Sequence, residues 1–231
     1  MKARDLARTP RRALRSVPVA PAAHGAAEAM RPSEPAAGPE PVRLRILRGA
    51  AQVFGRLGFG ATSVEAILAA ASVSRRTFYK EFRSKEDVLR VLFESSVQRL
   101  LGAVRAASSG QAPVQARLEA SIEAYVGVHS KAGALARVLL LEQFSPDSPL
   151  AAQRDAAMSA FSALITAAIK REGRKSPDPI LVHGVVAALN QIAVRMAAEY
   201  PDGNWDIARA KTAMLRVMHA LDDERVALRD G

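Results

Sequence analysis

The stretch of this 231-residue chain with the clearest chemical potential is a nine-residue run, Ser-Arg-Arg-Thr-Phe-Tyr-Lys-Glu-Phe, at residues 74–82. If the run is helical, Phe78 and Phe82 lie on the same side, because residues four apart are neighbours on a helix. The two arginines, Tyr79 and Lys80 then project from the other side. A cationic helix face of this kind predicts contact with a polyanion such as a nucleic acid.

The individual side chains suggest different roles in such a contact. Arg75 and Arg76 lie in the leading turn, and an arginine can form two hydrogen bonds to guanine O6 and N7, so we expect these two to read bases. Tyr79, Lys80 and Lys85 have the length and the donors to reach phosphate oxygens. Phosphate contacts position a protein on the duplex without reading its sequence.

Enzymatic and metal-dependent chemistry finds little support in the sequence. The chain has no cysteine, and its histidines are scattered, with no second ligand at the spacing of a zinc motif. No Gly-x-Ser-x-Gly nucleophile motif occurs, and the glycine-rich residues 55–60 lack the strand and the Lys-Ser/Thr ending of a phosphate-binding loop. We therefore expect a protein without catalytic activity, metal ion or cofactor.

Composition favours a globular helical protein with a basic N-terminal part. Hydrophobic residues make up 49% of the chain and charged residues 24%, whereas aromatic residues make up only 5%. Of the net charge of +10, residues 42–99 carry +6, residues 1–41 carry +3 and residues 100–231 carry +1. The positive charge is therefore concentrated around the cationic run.

Residues 1–41 differ in composition from the rest. They hold 7 of the 13 prolines and show no sustained periodicity, which is typical of a disordered tail. A second interpretation is an arm in the minor groove of DNA, which would use Arg8, Arg11, Arg12 and Arg15. A transit peptide and a later start at Met30 are weaker alternatives.

The basic segment that follows predicts four helices. They cover about residues 42–57, 63–70, 74–82 and 84–107. Thr62 and Glu65 form the pattern of a capping box, in which Thr62 caps the second helix and Glu65 bonds back to it. Ser74 and Ser84 are favourable N-cap residues for the next two helices. The free N–H groups at these helix starts also suit phosphate oxygens.

The remaining chain predicts five further helices and no strand. They cover about residues 115–129, 132–144, 150–172, 180–200 and 205–228. Proline- and glycine-containing segments separate most of them. The expected fold class is all-α, with about nine helices arranged as a small head and a larger antiparallel body.

A short helix, a tight turn and a second short helix packed on a preceding helix form a helix-turn-helix unit. In detail, residues 42–92 resemble the DNA-binding domain of the TetR family of bacterial transcriptional regulators, through residues 46–54, 58–64 and 73–86. By this resemblance, the positions that touch DNA are Thr62, Ser74, Arg75, Arg76, Thr77, Tyr79, Lys80 and Lys85.

Two residues depart from the family pattern. Ser72 stands where the family usually has glycine, so we expect a serine with positive φ and some strain. Glu81 stands where a histidine or tyrosine is frequent. Its carboxylate would repel DNA unless it pairs with an arginine or lysine.

The resemblance also implies roles for the body. Known members are dimers whose last two long helices form the interface, with a ligand pocket among the middle helices. The residues expected at the interface are Val182, Val185, Val186, Leu189, Ile192, Met196, Ile207, Met214, Leu215 and Met218. The residues expected in the pocket are Leu101, Val104, Tyr125, His129, Leu139, Gln143, Phe144, Phe161 and Ile165. For both sets, the alternative is packing inside the protomer's own core.

Together these observations predict a cytoplasmic transcriptional regulator. Its parts are a tail (residues 1–41), a DNA-binding domain (42–92) and an effector-binding and dimerisation domain (93–231). We expect a homodimer that binds a palindromic operator as a repressor and is released by an apolar small molecule. Two alternatives stay open: an effector-independent DNA-binding dimer, and an all-α ligand-sequestering or enzymatic protein with a vestigial head.

Overall fold

A computed structural model of the chain describes residues 40–227. The tail expected over residues 1–41, including its proposed minor-groove arm, lies outside the described residues except for Glu40 and Pro41. The all-α prediction is confirmed, because the described part consists of eight helices and connecting turns. The helices are α1 (Val42–Leu57), α2 (Val64–Ala71), α3 (Arg75–Glu81), α4 (Lys85–Ser108), α5 (Val114–Glu142), α6 (Ala151–Arg171), α7 (Pro179–Glu199) and α8 (Ile207–Ala227).

The count of eight rather than nine helices comes from a kink in α5. The two helices expected over residues 115–129 and 132–144 run on as one element, interrupted at Gly133 (φ 56°, ψ −132°). The turn between α7 and α8 presses against this kink: the Ser130 hydroxyl donates to the Gly203 carbonyl. A Cβ on Gly203 would lie 2.5 Å from the Gly133 Cα, so this close approach requires glycine.

The head consists of α1 to α3 and the start of α4, built around an aromatic core. The buried side chains of this core include Ile46, Phe54, Ile67, Phe78, Phe82 and Leu89. Phe78 and Phe82 face inward together, as their spacing predicts, with ring centroids 6.0 Å apart. Because a helix of seven residues is not stable alone, α3 depends on this packing for its position.

Serine residues cap three of the head helices. The Ser74 hydroxyl accepts from the Thr77 N–H at 3.1 Å, and the Ser84 hydroxyl accepts from the Asp87 N–H at 3.3 Å, which confirms both predicted caps. The predicted cap of α2 is wrong by one residue. Ser63, not Thr62, accepts from the N–H of Ala66, at 3.2 Å.

The body is a bundle of α4 to α8. Helix α5 packs against α4, α7 and α8, and α6 packs against α7 and α4. Helix α7 is long and apolar enough to cross a bilayer, with a mean hydropathy of 1.5 in its most apolar window. Core helices of soluble proteins meet the same criterion, and α7 packs against α5, α6 and α8 within the bundle.

The turn between α2 and α3 contains the strained residue that the sequence predicts. Ser72 has φ 51° and ψ 49°, and is the one non-glycine residue with positive φ in the described part of the chain. Its N–H donates to the Ala69 carbonyl, and its carbonyl accepts from Arg45 Nη2 at 3.2 Å.

Replacing Ser72 with glycine is therefore expected to stabilise the protein. Glycine relieves the left-handed strain and keeps both backbone hydrogen bonds, and part of the gain is offset by its greater freedom in the unfolded chain. The expected net gain in the free energy of unfolding is about 0.5–1 kcal/mol, measured by urea denaturation. Ser72→Val is the matched opposite, because a β-branched residue should lose stability at this position. A less stable Ser72→Gly variant would contradict the strain.

Candidate nucleic-acid interface and internal cavity

The face of α3 opposite the two phenylalanines is exposed and basic. Arg76, Tyr79 and Lys80 all project into solvent from it. Within the described residues, no hydrogen bond or ion pair engages the side chain of Arg76 or Lys80. The Tyr79 ring stands edge-on to Phe78, with centroids 5.3 Å apart, so the core orients it while its hydroxyl end faces outward.

Three of the predicted contact residues on α3 have partners inside the head. Arg75 forms an ion pair with Glu65 of α2, and the two side chains are 62% and 60% exposed. An ion pair this exposed contributes little to stability, so DNA phosphates or bases can compete for the guanidinium. Ser74 and Thr77 share a hydrogen bond of 2.8 Å between their hydroxyls at the helix start.

The carboxylate of Glu81 is neutralised in the way that DNA binding would require. Arg43 of α1 donates to the Glu81 carbonyl at 3.0 Å and approaches its carboxylate at 3.9 Å. The same guanidinium lies 4.3 Å from the centre of the Phe82 ring. Arg43 therefore links α1 to the end of α3 and reduces the negative charge at this edge.

Lys85 has a different place from the one expected of a phosphate contact. Its ammonium donates to the carbonyls of Phe59 (3.1 Å), Gly60 (3.3 Å) and Thr62 (2.8 Å), and lies 4.6 Å from the centre of the Phe59 ring. A lysine has three N–H donors, so all of them are occupied. Lys85 ties the start of α4 to the α1–α2 turn.

Thr62 is also internal rather than on the exposed face. It is buried, and its hydroxyl donates to the Gly58 carbonyl at 2.7 Å. Ser63, one residue later, is exposed at the start of α2 and takes the position expected for Thr62. The sequence missed this because either residue satisfies a capping pattern, and only the turn geometry decides between them.

A cavity of about 240 Å³ lies inside the body, lined by all five of its helices. The cavity brings together six of the nine residues expected in a pocket: Val104, Tyr125, His129, Gln143, Phe161 and Ile165. The other three lie elsewhere. Leu101 and Leu139 are buried in the core, and Phe144 is exposed.

His129 lines this cavity with a ring that is packed between aromatic side chains. Its ring stacks on Trp205 with centroids 5.6 Å apart and meets Tyr125 edge-on at 4.8 Å. Its Nε2 is buried and has no hydrogen-bond partner in the part of the chain that the structure describes. Burial lowers the pKa of His129 to about 4 and raises the pKa of the Tyr125 hydroxyl, because the charged form of each is poorly solvated.

Sequence reasoning missed the charged residues of the cavity lining. Arg117 forms an ion pair with Glu172, and Arg154 donates to the Gln143 carbonyl at 3.0 Å. Arg117 lies eight residues before Tyr125 on α5, so the helical repeat through Tyr125 and His129 was the signal that could have found it.

The residues expected at a dimer interface mostly serve the protomer's own fold. Val182, Val185, Val186, Met196 and Met214 are fully buried within one chain. Leu189, Ile192, Leu215 and Met218 pack against the same body core. Of the ten, Ile207 alone is exposed. The most apolar faces of α7 and α8 pack against the protomer's own core.

The geometry defines a helix-turn-helix protein of the DNA-binding class, joined to a helical body with an internal cavity. Residues 46–92 match the family model described as bacterial regulatory proteins, tetR family. The head is therefore similar in sequence to the DNA-binding domain of the tetR family, and the chain is similar in fold to solved structures described as tetR-family regulators. Among the side chains that the structure describes, those of residues 40–219, no group of three or more His, Asp or Glu is arranged to hold a metal ion.

Individual proteins are similar to the head in sequence or to most of the chain in structure. The transcriptional regulator UidR of Escherichia coli K12 is 33% identical over 66 residues. That match covers 29% of this chain and only 34% of UidR, about a third of the relative's length. A tetR-family regulatory protein from Rhodococcus RHA1 is 25% identical, with a TM-score of 0.58 over 78% of this chain and 97% of its own. The fatty acid degradation regulator FadR from Bacillus halodurans is 21% identical, with a TM-score of 0.62 over 78% and 95%.

The place of Lys85 predicts a loss of stability when it is replaced. Lys85→Met keeps the apolar stem but removes three hydrogen bonds to carbonyls, two of which are partly buried. The free energy of unfolding should fall by about 1–3 kcal/mol, measured by urea denaturation. Lys80→Met is the matched control and should change it by less than about 0.5 kcal/mol, because Lys80 is exposed and unpaired. Equal effects of the two substitutions would contradict the tethering role.

The buried neutral imidazole of His129 predicts a pH dependence of stability. Its folded pKa of about 4 lies below that of the unfolded chain, so the unfolded state binds the extra proton as pH falls from 6.5 to 4. From pH 7.5 to pH 5, this group should lower the free energy of unfolding of the wild type by about 2 kcal/mol. His129→Phe lacks the group and should not show this decrease. Urea denaturation at both pH values measures the difference. His183→Gln, at an exposed histidine, should retain the wild-type dependence, and an identical loss in His129→Phe would refute the assignment.

Proposed function

We propose that the protein is a cytoplasmic transcriptional repressor whose homodimer binds a palindromic operator through α3 and is released by an apolar effector in the body cavity. The observation that carries this proposal is the two-sided character of α3. One side is fixed in the core by Phe78 and Phe82, and the other presents unpaired Arg76 and Lys80. A positioned cationic face is what reading a DNA groove requires.

The proposed contacts divide into base reading and positioning. Arg76 is the primary base reader because its guanidinium is exposed and unpaired, and Arg75 joins it once DNA displaces Glu65. Lys80 and Tyr79 contact phosphate, and the hydroxyls of Ser74 and Thr77 support the same edge. In this scheme the DNA-binding domain covers residues 42–92 and the body covers residues 93–231.

Dimerisation follows from the geometry of DNA rather than from the buried stripes. Two recognition helices must meet major grooves about 34–36 Å apart, one helical turn, or a multiple of that spacing. Surface for a partner is available on the outer side of α7 and α8. Ile180 at the start of α7 is 83% exposed, and Ile207 at the start of α8 is 41% exposed.

The proposed release uses α4, which belongs to both parts of the molecule. Leu89 and Leu92 of α4 lie in the head core, whereas Leu100 and Val104 line the cavity. Phe93 belongs to both sets. A ligand that moves this part of α4 also moves the packing under α3, so it changes the separation of the two recognition helices.

Selection of bound duplexes from a random pool tests the proposed function. The selected sites should show dyad symmetry, with half-sites about one or two helical turns apart. Selected sites without dyad symmetry would contradict the dimeric mode. A pool with no enrichment would contradict specific DNA binding altogether.

Single substitutions on α3 should separate the two kinds of contact. Arg76→Ala should weaken operator binding by about 1–3 kcal/mol and relax preference at one base position. Lys80→Ala should weaken binding to all sequences and reduce the salt slope of the binding constant by about one. Fluorescence anisotropy on operator and scrambled duplexes, over a range of salt concentrations, measures both effects.

The control for these substitutions is Arg105→Ala, which removes one exposed positive charge from α4 outside the head. It should leave the salt slope and the base preference unchanged. If Arg76→Ala binds with wild-type preference at every position, Arg76 is not a base reader.

A further inference from the structure

Helix α6 has an apolar face that the protein itself does not cover. None of its 21 residues is fully buried. Its apolar side chains, among them Met158, Phe161, Ile165 and Ile169, line the cavity instead. Ligand cavities in proteins are lined mostly by apolar side chains, so an apolar helix face along this cavity suits an apolar part of a ligand.

The cavity is elongated along α5. Arg117 and His129 both line it and are twelve residues apart on this helix, which corresponds to about 18 Å. At the His129 end the lining residues are buried, as Gln143 and Phe93 are. At the Arg117 end the cavity reaches the surface, because the lining residues Val114 (48% exposed) and Arg171 are exposed there. A volume of about 240 Å³ over this length describes a narrow channel that suits an unbranched chain.

The open end of the channel, which we call the mouth, is basic. Arg117, Arg171 and Arg174 line it, and Glu172 is the one carboxylate among the described lining residues. Glu172 is already paired with Arg117, which also donates to the Ala112 carbonyl at 2.6 Å. The net charge that a ligand meets at the mouth is therefore positive, and Arg171 is its most accessible source.

We propose that the effector is an anionic amphipath, of which a straight-chain carboxylate is the simplest form, with its chain along the channel and its acid group at the arginine mouth. This inference rests on the proposed function, because it names the ligand class of the same cavity. An acid at the mouth keeps its charge near solvent and beside Arg171, while the chain packs against α6. A cationic head group would be repelled there.

The single tryptophan of the chain provides a test that does not depend on DNA. Trp205 stacks on His129 at the closed end of the channel, so filling the channel should change its fluorescence. Decanoate, 1-decanol and decylammonium, each titrated below its micelle concentration, compare three head groups on one chain length. Decanoate should bind about tenfold more tightly than decylammonium and several-fold more tightly than 1-decanol.

Two variants locate the acid group. Arg171→Ala should weaken decanoate binding about fivefold and leave 1-decanol binding unchanged, whereas Arg105→Ala, an exposed arginine outside the cavity, should change neither. Ile165→Trp, which fills the channel, should weaken binding of all three compounds. Its thermal melting shows that the variant is folded, and a bulky fluorescent competitor replaces Trp205 as the probe for it.

The outcomes distinguish this inference from the proposed function. Four results would each overturn the inference. The protein could bind the three compounds with equal affinity, prefer decylammonium, or bind none of them, or Arg171→Ala could bind decanoate with unchanged affinity. Decanoate binding that does not release a bound operator duplex would leave the ligand class standing and overturn the proposed release. Operator release by 1-decanol as effective as by decanoate would support release and overturn the acidic ligand.

Discussion

The DNA-facing surface depends on the burial of two phenylalanines. Helix α3 has seven residues and would not be stable as an isolated helix. Its position therefore depends on the packing of Phe78 and Phe82 against α1 and α2. Burying each ring contributes about 1.5–3 kcal/mol, enough to order a short helix within an existing core. Because one side is fixed in this way, the opposite side of α3 can carry unpaired cations without losing its orientation.

The same core extends from the head into the body. Val138 and Leu139 of α5 and Leu150 before α6 belong to the cluster that contains Phe54 and Phe78. Gly55 of α1 lies against Ala134, directly after the Gly133 kink. Close-packed cores transmit strain. A displacement of α5 or α4 in the body is therefore transmitted to the head through the shared core. This continuity makes coupling between cavity and head physically reasonable.

The sequence was sufficient for local features and insufficient for long-range ones. The helices, the Ser74 and Ser84 caps, the positive φ of Ser72 and the inward phenylalanines follow from periodicity and backbone chemistry within a few residues. The tether of Lys85 and the pairing of Arg75 with Glu65 depend on where the α1–α2 turn and α2 lie in space, which no local pattern encodes. The stripes expected at a dimer interface show another limit: periodicity finds an apolar face but does not tell which neighbour it packs against.

In the proposed function, a ligand acts on the head through the cavity of the body. A molecule that fills the channel covers the apolar face of α6 beside the buried His129 nitrogen, so it stabilises whichever arrangement it fits. Binding alone does not shift an equilibrium, because a ligand with equal affinity for two states changes neither population. The proposed release therefore requires a channel that differs in shape between the DNA-binding and the released state. Phe93 is the residue at which such a difference would matter most, since it belongs to the channel wall and to the head core at once.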